Sequence, residues 1–170
     1  FLALTEALGT EPFIVGNVGS GTVREMWEWW EYVNHPGPSP MADLRKRNGR
    51  DAPWNVRFWG VGNESWGCGG NMRPEYYADE YRRYASFLPS YGDTRAFRVA
   101  TGPTDDDYRW MEVLMREAGR MMEGIDLHHY TLVGNWTRKG SATAFGEREW
   151  FVAMQRARQV DEMITRHSAI

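Results

Sequence analysis

The chain has 170 residues, 42% of them hydrophobic and 25% charged, with a net charge of −3. This is the composition of a folded globular segment and excludes a disordered tail. The acidic balance gives no electrostatic reason to expect a nucleic-acid partner, and the single cysteine, Cys68, excludes an internal disulfide. No run approaches the roughly 18 apolar residues of a membrane span.

In chain order, Phe1 to Gly9 reads as the end of an amphipathic helix, with Leu2, Leu4 and Leu8 on one face and Gly9 as its stop. This apolar start lacks the basic flank and cleavage site of a secretory leader. Glu11 to Gly16 predicts a short buried strand opening into the glycine-rich loop Asn17 to Gly21. Thr22 is placed to cap the next helix, with Glu25 as its capping-box partner. Val23, Met26, Trp27, Trp30 and Val33 recur at helical spacing along it.

Four prolines between His35 and Pro53 predict a loop, with a short basic helix over 41–48. Arg57 to Val61 reads as a second strand, followed by another glycine-rich loop to Asn71. Pro74 opens a helix whose stripe is Tyr77, Tyr81, Tyr84 and Leu88. Phe97 to Thr101 is a third strand, and Asp105 or Asp106 is expected to cap the helix bearing Trp110, Val113 and Leu114. Gly124 to His128 is expected as a fourth strand, and one last helix carries Trp150 to Met163.

Strands alternating with helices imply α/β architecture with a parallel sheet and right-handed crossovers. Either a doubly wound open sheet or part of an eight-stranded β/α barrel satisfies this order. In both, the long loops after the strands form the carboxyl-terminal rim where sites are built.

The rim holds few groups capable of chemistry. Glu64, at the end of the second strand and preceded by Asn63, is a candidate acid/base, with Trp59 and Trp66 expected to supply an apolar surround that raises its pKa. The alternative for this tripeptide is a turn with a helix cap. His128 and Tyr130 share a side of the fourth strand, where a tyrosine hydroxyl can hold a carboxylate. Adjacent His128 and His129 face opposite ways, which argues against a metal site, and none is expected. Asn17 is a third polar group on the rim. Cys68 has no histidine at a recognisable spacing and reads as a packed thiol. Asn17 to Gly21 matches neither glycine-rich nucleotide signature, and no cofactor is expected.

Trp59-Gly-Val-Gly-Asn-Glu-Ser-Trp-Gly-Cys-Gly-Gly-Asn71, followed by Pro74 to Asp79 and Tyr81-Arg-Arg-Tyr84, resembles glycoside hydrolase family 51, the α-L-arabinofuranosidases. Gly16 to Thr22 and Asp126 to Thr131 resemble the same family in the same order. The resemblance implies part of a (β/α)8 barrel, with residues 1–170 as one incomplete catalytic barrel of about four central units, strands three to six. It implies a retaining hydrolase of terminal, non-reducing α-L-arabinofuranosyl residues in arabinose-containing poly- and oligosaccharides. In it, Glu64 corresponds to the acid/base, Asn63 to its sugar-contacting neighbour, Tyr130 to the aromatic that positions the nucleophile, His128 to a pocket residue and Asn17 to a sugar-binding asparagine. Family analogy adds a cytoplasmic, homo-oligomeric enzyme.

A retaining glycosidase needs a second carboxylate about 5 Å from the first. Beyond Tyr130 the acidic residues Glu147, Glu149, Asp161 and Glu162 all fall in a helical pattern. The expectation is therefore that the nucleophile lies outside this chain, and that the chain alone is an inactive fragment. Two alternatives stay open: another retaining glycosidase on the same barrel, acting on xylosides or glucans, and a non-catalytic sugar-binding domain.

Overall fold

The computed structural model describes residues 1–170. Helix α1 (Leu2–Leu8) ends on Gly9 in the left-handed conformation (φ 64°). Strand β1 (Phe13–Gly16) is followed by α2 (Val23–Asn34) and α3 (Pro40–Arg47), β2 (Phe58–Val61) by α4 (Pro74–Ala85), and β3 (Phe97–Ala100) by α5 (Tyr108–Ala118). Strand β4 (Gly124–Ile125) precedes α6 (Glu147–Ala157) and α7 (Gln159–His167). The strands lie in the order β1-β2-β3-β4, all parallel. No helix is long and apolar enough to cross a membrane.

The two faces of the sheet differ. Ile14, Trp59, Val61 and Ala100 are buried under α2, α4 and α5, where they meet Met26, Trp30, Tyr77, Tyr81, Tyr84, Trp110 and Leu114. Phe13, Val15, Phe58, Phe97 and Val99 alternate with them on the opposite face, and none of them is fully buried, as a period of two allows. Phe58 and Phe97 touch there, ring centroids 5.3 Å apart.

Several buried aromatics have their polar atoms paired, so they fix geometry as well as filling space; the Trp59 indole N–H is buried without a partner. The Trp30 indole donates to the Pro89 carbonyl and the Trp110 indole to the Thr101 carbonyl, at 2.8 and 2.9 Å. The Tyr77 hydroxyl donates to the Val61 carbonyl (2.5 Å) and accepts the Thr101 amide (2.6 Å). One side chain of α4 thereby clamps the carboxyl ends of β2 and β3 side by side, directly beneath the rim.

The capping box of α2 forms as predicted, Thr22 accepting the Glu25 amide and Glu25 accepting the Thr22 amide. Three expectations are corrected. Helix α5 is capped by Asp107, whose side chain accepts the Trp110 amide, and not by Asp105 or Asp106. Asp105 instead turns through a positive φ of 46°. Strand β4 is only two residues long. Beyond Ile125 the Gly102 amide bonds the Asp126 carboxylate rather than a backbone carbonyl, and Pro103 has no amide to offer. The last helix is two helices, α6 and α7, parted at Arg158.

Candidate active site

The second glycine-rich loop folds back on its own first residues. The carbonyl of Glu64 accepts the amides of Gly67 (2.8 Å) and Gly69 (2.9 Å), and Met72 returns to the Ser65 carbonyl at 2.7 Å. Two glycines make this possible. Gly62 turns at φ 88°, and a Cβ on Gly69 would stand 1.8 Å from the Asn63 carbonyl oxygen. Glu64 itself is held at φ 45°, a region that costs an L-residue about 1 kcal/mol or more.

The turn aims the Glu64 side chain, 17% exposed, across the rim toward β4. Nδ1 of His128 lies 2.9 Å from Oε1, and the Cys68 thiol donates to Oε2 at 3.2 Å. Nε2 of His128 lies 3.5 Å from Oδ2 of Asp126, whose Oδ1 accepts the Gly102 amide at 2.6 Å. Trp66 packs edge-on to His128 and donates its indole N–H to the Gly102 carbonyl. Each oxygen of Glu64 thus has its own partner, one from the fourth strand's continuation and one from its own loop.

The electrostatics correct one expectation. Glu64 has its pKa lowered, chiefly by the His128 hydrogen bond and then by Cys68, with Tyr130 contributing least; burial opposes this without prevailing. Trp59 cannot supply the apolar surround, because it lies on the helix-covered face of the sheet between Trp29 and Trp30. Asp126 behaves oppositely. Burial pushes its carboxyl up, against the Gly102 amide and His128.

Asn17 and Asn63 line one cleft of about 250 Å³, with Val15, Gly16, Val18, Gly19 and Gly69. The Asn17 side chain bonds Ser20, donating to its hydroxyl and accepting its amide. Tyr130 is 54% exposed and meets Trp136 edge-on at 4.8 Å. His129 faces away from Glu64, its Nδ1 lying 2.7 Å from Asp105. Glu147 and Glu149 sit on α6, Asp161 and Glu162 on α7.

Two residues of the cluster escape sequence reasoning. Asp126 stands two before His128, and that strand spacing is a usable signal. Cys68 offers none in the sequence, where it reads as a packed thiol, yet it is exposed and bonded to Glu64. Only the backward fold of the loop brings them together.

These features define a parallel β/α unit with a gripped carboxylate at the carboxyl-terminal rim of its sheet. The family described as Alpha-L-arabinofuranosidase 1 domain matches residues 1–155, and the chain belongs to that family. It is 50% identical over all its 170 residues to an intracellular exo-alpha-L-arabinofuranosidase of Bacteroides ovatus, covering 33% of that protein. Among solved structures, the family 51 arabinofuranosidase of Xanthomonas axonopodis pv. citri superposes with a TM-score of 0.96 at 49% identity, over 99% of this chain and 34% of that one. An alpha-L-arabinofuranosidase of Thermotoga maritima, solved with arabinose, superposes at 0.69 with 34% identity over 75% of this chain and 26% of that one. The chain therefore spans about a third of the length of the relatives it matches, and its four β/α units match part of the (β/α)8 barrel.

Proposed function

We propose that this chain carries the acid/base half of a retaining α-L-arabinofuranosidase, which releases terminal, non-reducing α-L-arabinofuranosyl residues from arabinose-containing poly- and oligosaccharides. The observation that carries the reading is Glu64, set at the end of β2 with both carboxylate oxygens held, beside the cleft that Asn17 and Asn63 share. The names of the relatives support the substrate class, and the name of the Bacteroides ovatus relative supports a site of action inside the cell.

In this reading Glu64 protonates the glycosidic oxygen as the leaving group departs. A second carboxylate, none of Glu147, Glu149, Asp161 or Glu162, attacks the anomeric carbon. Glu64 then takes a proton from the water that releases arabinose. Asn63 and Asn17 bind sugar hydroxyls, His128 orients the acid/base, and Tyr130 stands ready to contact the second carboxylate. The lowered pKa of Glu64 belongs to a site in which His128 stands between it and Asp126 and no nucleophilic carboxylate faces it. One about 5 Å away raises it by like-charge repulsion, toward the range a general acid needs.

The test is Glu64→Ala in a chain of the relatives' full length containing these residues. Hydrolysis of an arabinofuranoside with a poor leaving group should fall by about 10² to 10⁴-fold. An activated aryl arabinofuranoside should be affected less, and azide should restore its turnover. Near-parental activity on the poor leaving group would reject Glu64 as the acid/base.

A further inference from the structure

We propose that Cys68 is a positioning residue for Glu64, its protonated thiol holding Oε2 while His128 holds Oε1. The inference rests on the reading of Glu64 as the acid/base. The contact comes from the loop's construction. The amides of Gly67 and Gly69, on either side of Cys68, both bind the carbonyl of Glu64, and Asn71 returns to the carbonyl of Gly67 at 2.7 Å. Residue 68 is thereby carried over the carboxylate of residue 64 with its sulfur 3.2 Å from Oε2. No side chain larger than hydrogen fits at Gly69, so the loop has little freedom to place Cys68 elsewhere.

A thiol serves in two ways at this position. It donates a hydrogen bond, and it stays neutral while doing so. The adjacent carboxylate is the first cause raising the Cys68 pKa, with burial second. Cys68 is therefore a thiol when Glu64 is ionised, and neither a nucleophile nor a second anion beside the acid/base. The same contact favours the ionised form of Glu64, second only to His128. The other titratable groups around Glu64 are His128 and Tyr130 on the β4 side, and Asp126 behind His128.

The coupling is reciprocal, so it is readable from either partner. Cys68 is the only cysteine in the 170 residues, and its ionisation is followed by thiolate absorbance or by the pH dependence of alkylation. Glu64→Gln should lower the thiol pKa by about half a unit or more. In a full-length chain containing these residues, Cys68→Ala should move the basic limb of the kcat/KM profile up by roughly half a unit. It should lower kcat several-fold with KM nearly unchanged, and Cys68→Ser, which keeps a donor, should lie closer to the parent. An unmoved thiol titration in Glu64→Gln overturns the proposal. So does an unmoved basic limb in Cys68→Ala, provided Glu64→Ala has lost hydrolysis. If Glu64→Ala still hydrolyses poor leaving groups, the acid/base assignment falls instead.

Discussion

Glu64 occupies a backbone conformation that its side chain does not favour, and the loop around it is what holds it there. Its carbonyl is bonded by two loop amides and its carboxylate by His128 and Cys68. A carboxyl lowered below its ordinary value of 4.5 contributes stability above that value and loses it as pH falls through the lowered one. Because His128 is the first cause, His128→Gln should return the Glu64 titration toward 4.5 and reduce the acid-side stability it supports. Carboxyl NMR, with Glu64→Gln to assign the resonance, measures this. A folded His128→Gln chain whose Glu64 titrates as in the parent would remove His128 as the cause. This link lies outside what the sequence can reveal. The two residues are 64 positions apart, and no spacing rule joins them, although each was separately legible as a rim residue. Asn17 and Asn63 were likewise separate readings that the parallel register Gly16 to Val61 brings to one cleft.

The elements that were legible are those with a local cause. Thr22 and Glu25 form their box because both halves lie within one turn, and the tyrosine stripe of α4 is buried because its period fits one helical face. The misread elements depend on partners elsewhere. Strand β4 ends early because the Asp126 side chain takes the Gly102 amide, and Asp105 is drawn from capping to bond the His128 carbonyl with its amide, at 2.8 Å. Tyr77 shows how much one such tertiary bond carries. It is fully buried, which pushes its hydroxyl pKa up, and it pairs two backbone groups on different strands. Tyr77→Phe keeps the ring stack on Trp110 but leaves the Val61 carbonyl and Thr101 amide without a partner. It should cost about 2–4 kcal/mol, measured as a lower urea midpoint at unchanged slope. A loss below about 0.5 kcal/mol would mean that the clamp between β2 and β3 does not depend on this hydroxyl.

Across the whole chain, burial is graded rather than uniform. The tightly packed part comprises β1 to β3 with α2, α4 and α5, where Trp30, Trp59, Trp110 and the three tyrosines leave almost no exposed area. Helices α1 and α6 contain no buried residue, and α7 contains only His167. Several of their large apolar side chains, among them Leu4, Phe151 and Ile164, are more than half exposed. Beside the packing of Leu2 on the core and of the His167 ring on Tyr108, polar bonds attach these helices. His167 lies 2.8 Å from the Asp105 carbonyl, and Arg156 donates to the carbonyls of Leu132 and Gly134. Each such bond contributes about 1 kcal/mol, far less than burying an aromatic face. Local opening free energies should follow this gradient. In the 170-residue chain, hydrogen exchange should find the amides of α4, α5, β2 and β3 slowest, and those of α1 and α6 faster by roughly a hundredfold or more. Helix α7 should fall between, pinned at its last turn. His167→Ala should speed exchange in α7 while leaving β2 and the Glu64 loop at their parental rates, because His167 meets the Asp105 carbonyl and the Tyr108 ring and neither β2 nor that loop. Equal protection in α6 and α4 would mean that the terminal helices and the site-bearing strands unfold as one unit. The placement of Glu64 would then depend on the far edge of the sheet as much as on the clamp beneath it.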